Sequence, residues 1–111
     1  MANRYIVVFV TCGSKDEARS IADSLLRKRL VACANTVSGI ESKFWWKGRI
    51  DKATETLLIL KAKKVNFRNI EKDVKRLHSY DVPEIIALPI VAGNREYLGW
   101  IHEAPLKTKK E

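Results

Sequence analysis

Three strand-length runs in this chain, Ile6-Val7-Val8-Phe9-Val10, Leu57-Leu58-Ile59-Leu60 and Ile85-Ile86-Ala87-Leu88, are apolar at every position. A strand sends successive side chains to opposite faces, so each run carries an apolar surface on both sides of any sheet it joins. A sheet built from them has to be covered twice. In a chain of 111 residues, the size of one small domain, there is little material for two covers.

The segments between the runs supply one cover. Gly13-Ser14 closes the first run, and Ser14-Lys15-Asp16-Glu17 has the spacing of a capping box. Ala18, Ile21, Ala22, Leu25 and Leu26 follow on one helical face, which predicts a helix from Lys15 to about Lys28. Leu30 to Asn35 enters a second strand. Gly39 marks a bulge or bend in it, and it resumes through Phe44-Trp45-Trp46 to a tight turn at Lys47-Gly48. The third strand runs from Arg49 to about Lys63. Asn66 is a candidate cap for a second helix with the stripe Phe67, Ile70, Val74 and Leu77, which stops before Asp81-Val82-Pro83. Glu84 to Val91 is the fourth strand, placed at an edge by Pro89. Asn94 caps a short last helix, Arg95 to about Glu103.

The order β-α-β-β-α-β plus a terminal helix is the α+β, ferredoxin-like split βαβ plan, an antiparallel sheet with spatial strand order 4-1-3-2. Right-handed crossovers put both main helices on one face. The other face is then a bare apolar patch, and such patches mark interfaces. The expected cover is a second copy of the chain, with the long aromatic hairpin at Phe44, Trp45 and Trp46 as its anchor. Residues 1–105 read as this one domain, and 106–111 as a basic, disordered tail.

Composition narrows the function. The net charge of +8 is spread over the chain outside the tail, a solvated surface rather than a nucleic-acid stripe. No apolar run reaches the length of a membrane span. The first residues lead straight into a strand, without a secretion signal. Cys12 and Cys33 have no metal-type spacing, and a reducing cytoplasm is the expected location. No P-loop or dinucleotide glycine pattern is present. A Cys-His nucleophile lacks an oxyanion hole and an orienting group, so no enzyme is expected. The third strand lacks the aromatics of an RNA-recognition domain.

One rim does collect chemistry. In the 4-1-3-2 order the end of strand one lies beside the start of strand four. Cys12, His78, Asp81 and Glu84 therefore share an edge although far apart in sequence. Cys12 also precedes a helix N-terminus, a position expected to lower its pKa and favour the thiolate. Thiolate and imidazole suit copper and zinc. Cys33, in an apolar strand, reads as core.

Four segments together resemble the CutA family of divalent-cation tolerance proteins. They are Arg29-Leu30-Val31-Ala32-Cys33-Ala34-Asn35, Phe44-Trp45-Trp46-Lys47-Gly48-Arg49-Ile50, Leu77-His78-Ser79-Tyr80-Asp81-Val82-Pro83-Glu84-Ile85-Ile86 and Tyr97-Leu98-Gly99-Trp100-Ile101. The resemblance covers about residues 5 to 103. It implies a cytoplasmic homotrimer, similar in architecture to PII signalling proteins, with Phe44, Trp45 and Trp46 at the trimer interface. It implies weak binding of copper or another divalent cation rather than a tightly held cofactor, at Cys12 and His78 with Glu84 or Asp81 as oxygen donor. Two departures stand out: Leu77 precedes His78 where metal-binding relatives carry a second His, and Ser79 replaces the commoner Pro. The alternative function is a PII-like signalling or scaffold trimer, with a small ligand or protein in clefts between subunits.

Overall fold

A computed structural model describes residues 4–106. Four strands and three helices form in the expected order: β1 (Tyr5–Cys12), α1 (Lys15–Arg27), β2 (Cys33–Trp46), β3 (Arg49–Lys63), α2 (Phe67–Leu77), β4 (Ile85–Pro89) and α3 (Arg95–Glu103). The sheet is antiparallel with order β2-β3-β1-β4, so the edge position of β4 and the ferredoxin-like plan are as expected. Leu106 belongs to a short 3-10 turn, Ala104–Leu106. The rest of the expected tail, like Met1 to Asn3, lies outside the described residues.

Local chemistry explains the boundaries. Ser14 caps α1 by accepting the Glu17 N–H at 3.1 Å. The helix ends with Leu30 N–H on Leu25 O and Arg29 N–H on Leu26 O, and Arg29 sits at φ 62°. That is a left-handed cap made without glycine. The hairpin turn has Lys47 at φ 51° and Gly48 at φ 81°, the paired positive φ that matches the twist of the flanking strands. The register slips between Val37 and Ile40, where Gly39 has φ 74°. Asn94 caps α3 through the N–H groups of Glu96 and Tyr97.

Three local expectations are corrected. Asn66 does not cap α2; its side-chain amide instead donates to Leu30 O at 3.3 Å, tying the α2 entry to the β2 approach. Leu26 is 41% exposed, because the buried face of α1 turns toward Ser24 rather than Leu26. Cys33 lies outside the core. It pairs with Lys61 on the face away from α1 and α2, half-buried, where its Sγ–H donates to Asn35 Oδ1 at 3.7 Å.

The core lies between the sheet and α1 and α2: Ile6, Val8, Val10 and Cys12 of β1 with Leu58, Leu60 and Ala62 of β3, against Ile21, Leu25, Ile70 and Val74. The opposite face alternates with these positions. Its Val7, Phe9, Leu57 and Ile59 are only half-buried, and Val37, Ile86 and Leu88 are exposed. The third helix packs against β3 and buries Ile101, and Arg29 donates to Pro105 O just beyond it. Val37, Ile86 and Leu88 stay bare, and beyond them the hairpin carries Trp45 at 73% exposure.

One polar contact binds α1 to α2. Asp73 is buried, and its carboxylate accepts from Ser24 Oγ at 2.7 Å, Lys28 Nζ at 2.5 Å and Arg76 Nη2 at 2.9 Å. Burial opposes its charge, but the three donors outweigh that and hold it down to about 2. A carboxyl depressed in the folded state stabilises fully above its ordinary value and loses that contribution as pH falls through the folded one. Between about pH 4 and pH 2 the wild type is expected to lose about 2 kcal/mol through this group. Asp73→Asn should be less stable at neutral pH and lack that acid-side loss. Urea unfolding at a series of pH values measures both, and parallel pH curves would contradict the assignment.

Candidate functional site

The rim at the end of β1 is built by three elements. Strand β1 delivers Cys12, the first turn of α1 delivers Glu17, and the segment leaving α2 delivers His78. Ligand atoms of these three lie within 4.8 Å of one another. The expected pair of Cys12 and His78 is therefore brought together, and Glu17 supplies the carboxylate. Glu84 and Asp81 stand elsewhere. Glu84 accepts from Thr11 Oγ1 at 3.5 Å, and both acids line a cleft of about 870 Å3 between the 80–84 loop and the hairpin.

The nitrogen and oxygen donors of the cluster are already engaged. The His78 ring is fully buried. Its Nε2–H donates to Thr11 O at 2.7 Å, and its Nδ1 accepts the Tyr80 N–H at 3.1 Å. Because a carbonyl only accepts and an amide N–H only donates, these partners assign the tautomer. Glu17 Oε1 accepts from Gly13 N–H at 3.1 Å, and Oε2 accepts a short bond from Ser79 N–H. In the capping box as read from sequence, this carboxylate returns to the cap residue itself. It takes the neighbouring Gly13 instead, and spends its second oxygen holding the 78–80 loop. Proline at 79, as in the segment this loop resembles, has no N–H to give.

The expectation of an activated Cys12 is corrected. The side chain is 0% exposed, and burial, then the Glu17 and Glu55 carboxylates, push its thiol up to about 12. Two carboxylates and an apolar shell outweigh the nearby helix N-terminus. For Glu17, burial opposes the charge, but the Ser79 and Gly13 donors dominate and hold its carboxyl below the ordinary value.

Glu55 and Tyr80 complete the rim and were invisible as a pair in the sequence. Tyr80 O–H donates to Glu55 Oε2 at 2.7 Å. That bond first, then burial, pushes the phenol up to about 12. The ring lies over Gly13, where an added Cβ would come within 3.3 Å of the phenol oxygen. By type and spacing, thiol, imidazole and carboxylate fit a borderline divalent cation. The ion would compete with the proton on Cys12 and with four backbone partners.

The profile of the CutA1 divalent ion tolerance protein family matches residues 6–104. The divalent-cation tolerance protein CutA of Thermus thermophilus is 46% identical over 97 residues, 87% of this chain and 94% of that protein. A solved structure from that organism superposes with TM-score 0.88, at 45% identity, covering 90% of this chain and 97% of the other. The Archaeoglobus fulgidus structure, described as a periplasmic divalent cation tolerance protein, gives TM-score 0.87 at 42% identity, with 91% and 98% covered. The rice chloroplastic protein CutA 1 is 45% identical over 96 residues, 86% of this chain, but the chain spans only 54% of its length.

Removing the Glu17 carboxylate leaves two backbone N–H groups without their partner, at a cost of about 1–3 kcal/mol. Glu17→Ala, which removes both acceptor oxygens, is therefore expected to destabilise the fold at neutral pH and to speed amide exchange at Ser79. The wild-type contribution is present above the ordinary carboxyl pKa and fades as pH falls through the depressed one. Unchanged exchange at Ser79 in the variant would contradict the clasp.

Proposed function

Because the chain belongs to the CutA1 divalent ion tolerance family, we propose that it contributes to divalent-cation tolerance as a closed homotrimer that binds copper or a similar ion weakly. The Cys12–Glu17–His78 cluster carries this reading, since it joins sulfur, nitrogen and oxygen donors at metal-ligand spacing. Weak binding follows from the protonated thiol and from the engagement of the nitrogen and oxygen donors. A thiol held near 12 gives up its proton only in exchange for a strong ligand interaction, and His78 and Glu17 must leave backbone partners.

The bare sheet face and the exposed Trp45, Trp46 and Ile50 of the hairpin support assembly through these surfaces. The two free cysteines accord with a reducing, cytoplasmic setting. No described helix is long and apolar enough to cross a membrane. The Thermus thermophilus and Archaeoglobus fulgidus relatives are named as tolerance proteins and not as enzymes, and the proposed role is non-catalytic.

The cleft beside the rim favours a second reading, a PII-like trimer with a ligand or partner seated there. Its volume of about 870 Å3 is that of a small-molecule site.

Calorimetric titration with copper and zinc separates the readings. Cys12→Ser and His78→Ala should each weaken copper binding by about tenfold or more. Because one thiol proton is displaced, the wild-type affinity should rise with pH, by up to about tenfold per unit. Affinity that is indifferent to both substitutions and to pH would remove the metal reading from this cluster.

A further inference from the structure

The donor cluster and the 78–80 loop share two atoms. His78 Nε2–H is fixed on Thr11 O, so the free lone pair of the ring lies on Nδ1. That nitrogen stands 3.7 Å from Glu17 Oε2. These are the nitrogen and the oxygen that an ion joining His78 to Glu17 would take.

The loop fills both positions with its own backbone. Ser79 N–H donates to Glu17 Oε2, and Tyr80 N–H donates to His78 Nδ1 at 3.1 Å. Consecutive amides thus present their partial positive charge to the two atoms. The other partners lie on the far atoms, with Gly13 N–H on Glu17 Oε1 and Thr11 O on His78 Nε2–H. Those two can stay when an ion binds. A ring N–H held by a backbone carbonyl is the ordinary outer support of a ligating histidine. The two partners that must leave belong to neighbouring residues of one loop.

The backbone before Ser79 adds an independent observation. His78 has φ −80° and ψ 142°, the extended conformation that a residue before proline adopts. The Ser79 side chain is exposed. The chain ahead of position 79 therefore already admits a residue without an N–H, and what serine adds there is the bond to Glu17.

We propose that the Ser79 and Tyr80 amides latch the metal site: they hold Glu17 Oε2 and His78 Nδ1, and they give both up when a divalent cation binds, which frees the 78–80 loop. This rests on the metal reading of the cluster, for which it names the regulation. Ser79 is then a positioning residue that sets affinity through Glu17. Linkage makes the effect reciprocal, so weakening the latch tightens metal binding by the same factor.

The test follows zinc binding to the full chain by calorimetry and amide exchange by NMR, zinc being diamagnetic. Saturating zinc is expected to speed exchange at Ser79 and Tyr80 by about tenfold or more, and to leave Gly13 unchanged. Ser79→Pro should bind zinc about tenfold more tightly than the wild type, and Ser79→Ala, which keeps the N–H, should match the wild type. The gain in Ser79→Pro should vanish when Glu17→Ala is added, a loss that a general loosening of the loop would not produce. Zinc that binds through Cys12 and His78 yet leaves Ser79 and Tyr80 exchange unmoved overturns the latch, while the metal reading stands. Unchanged or lowered affinity in folded Ser79→Pro overturns it as well. Zinc that does not bind, or that binds equally to Cys12→Ser and His78→Ala, removes both. If Ser79→Pro does not fold, wild-type exchange decides.

Discussion

A sheet with two apolar faces and helices enough for one is the constraint behind this structure. On the helix side, β1 and β3 place Ile6, Val8, Val10, Leu58 and Leu60 under α1 and α2, and the core closes. On the other side, α3 packs against β3 and buries Ile101, leaving Val37, Ile86 and Leu88 exposed. The hairpin extends this unfinished surface with Trp45, Trp46 and Ile50. Burial of apolar area is the main source of folding free energy, so the missing cover is the strongest physical demand the molecule makes on its surroundings.

The rim chemistry is shaped by the same architecture. The order β2-β3-β1-β4 brings the end of β1 next to the loop that enters β4, and this loop must be held. Glu17 holds it, through Gly13 on one oxygen and Ser79 on the other, while His78 is tied to Thr11 and Tyr80. A metal-type set of donors is thereby locked in the service of a loop. The same loop presents Tyr80 to Glu55 and Asp81 to the cleft. One clasp thus sets both the readiness of the sulfur–nitrogen–oxygen cluster and the wall of the acidic cavity.

Much of this was legible in the residues. Ser14 and the α1 stripe, Lys47-Gly48, Gly39 and Asn94 each carry a local physical reason, and each acts where that reason places it. The pairing of Cys12 with His78 followed from strand order alone. What escaped was non-local. Leu26 fits the helical stripe but misses the sheet by the angle at which α1 lies. Asn66 was claimed by Leu30 O, 36 residues away in sequence. Cys12 was read from the helix beside it, whereas its burial and the Glu17 and Glu55 carboxylates decide its proton. Glu17 was hidden by a sufficient local explanation, its place in the capping box. Glu55 offered no pattern at all, because Tyr80 reaches it from 25 residues on.

The central claim is that the bare face is covered by copies of the chain itself. Native mass spectrometry of the full chain at low micromolar concentration tests it most directly. The expected result is a three-chain species that persists on dilution, and that Ile86→Lys, placing a charge on the exposed edge strand of the bare face, converts to single chains. A wild-type chain that remains single at that concentration would contradict it.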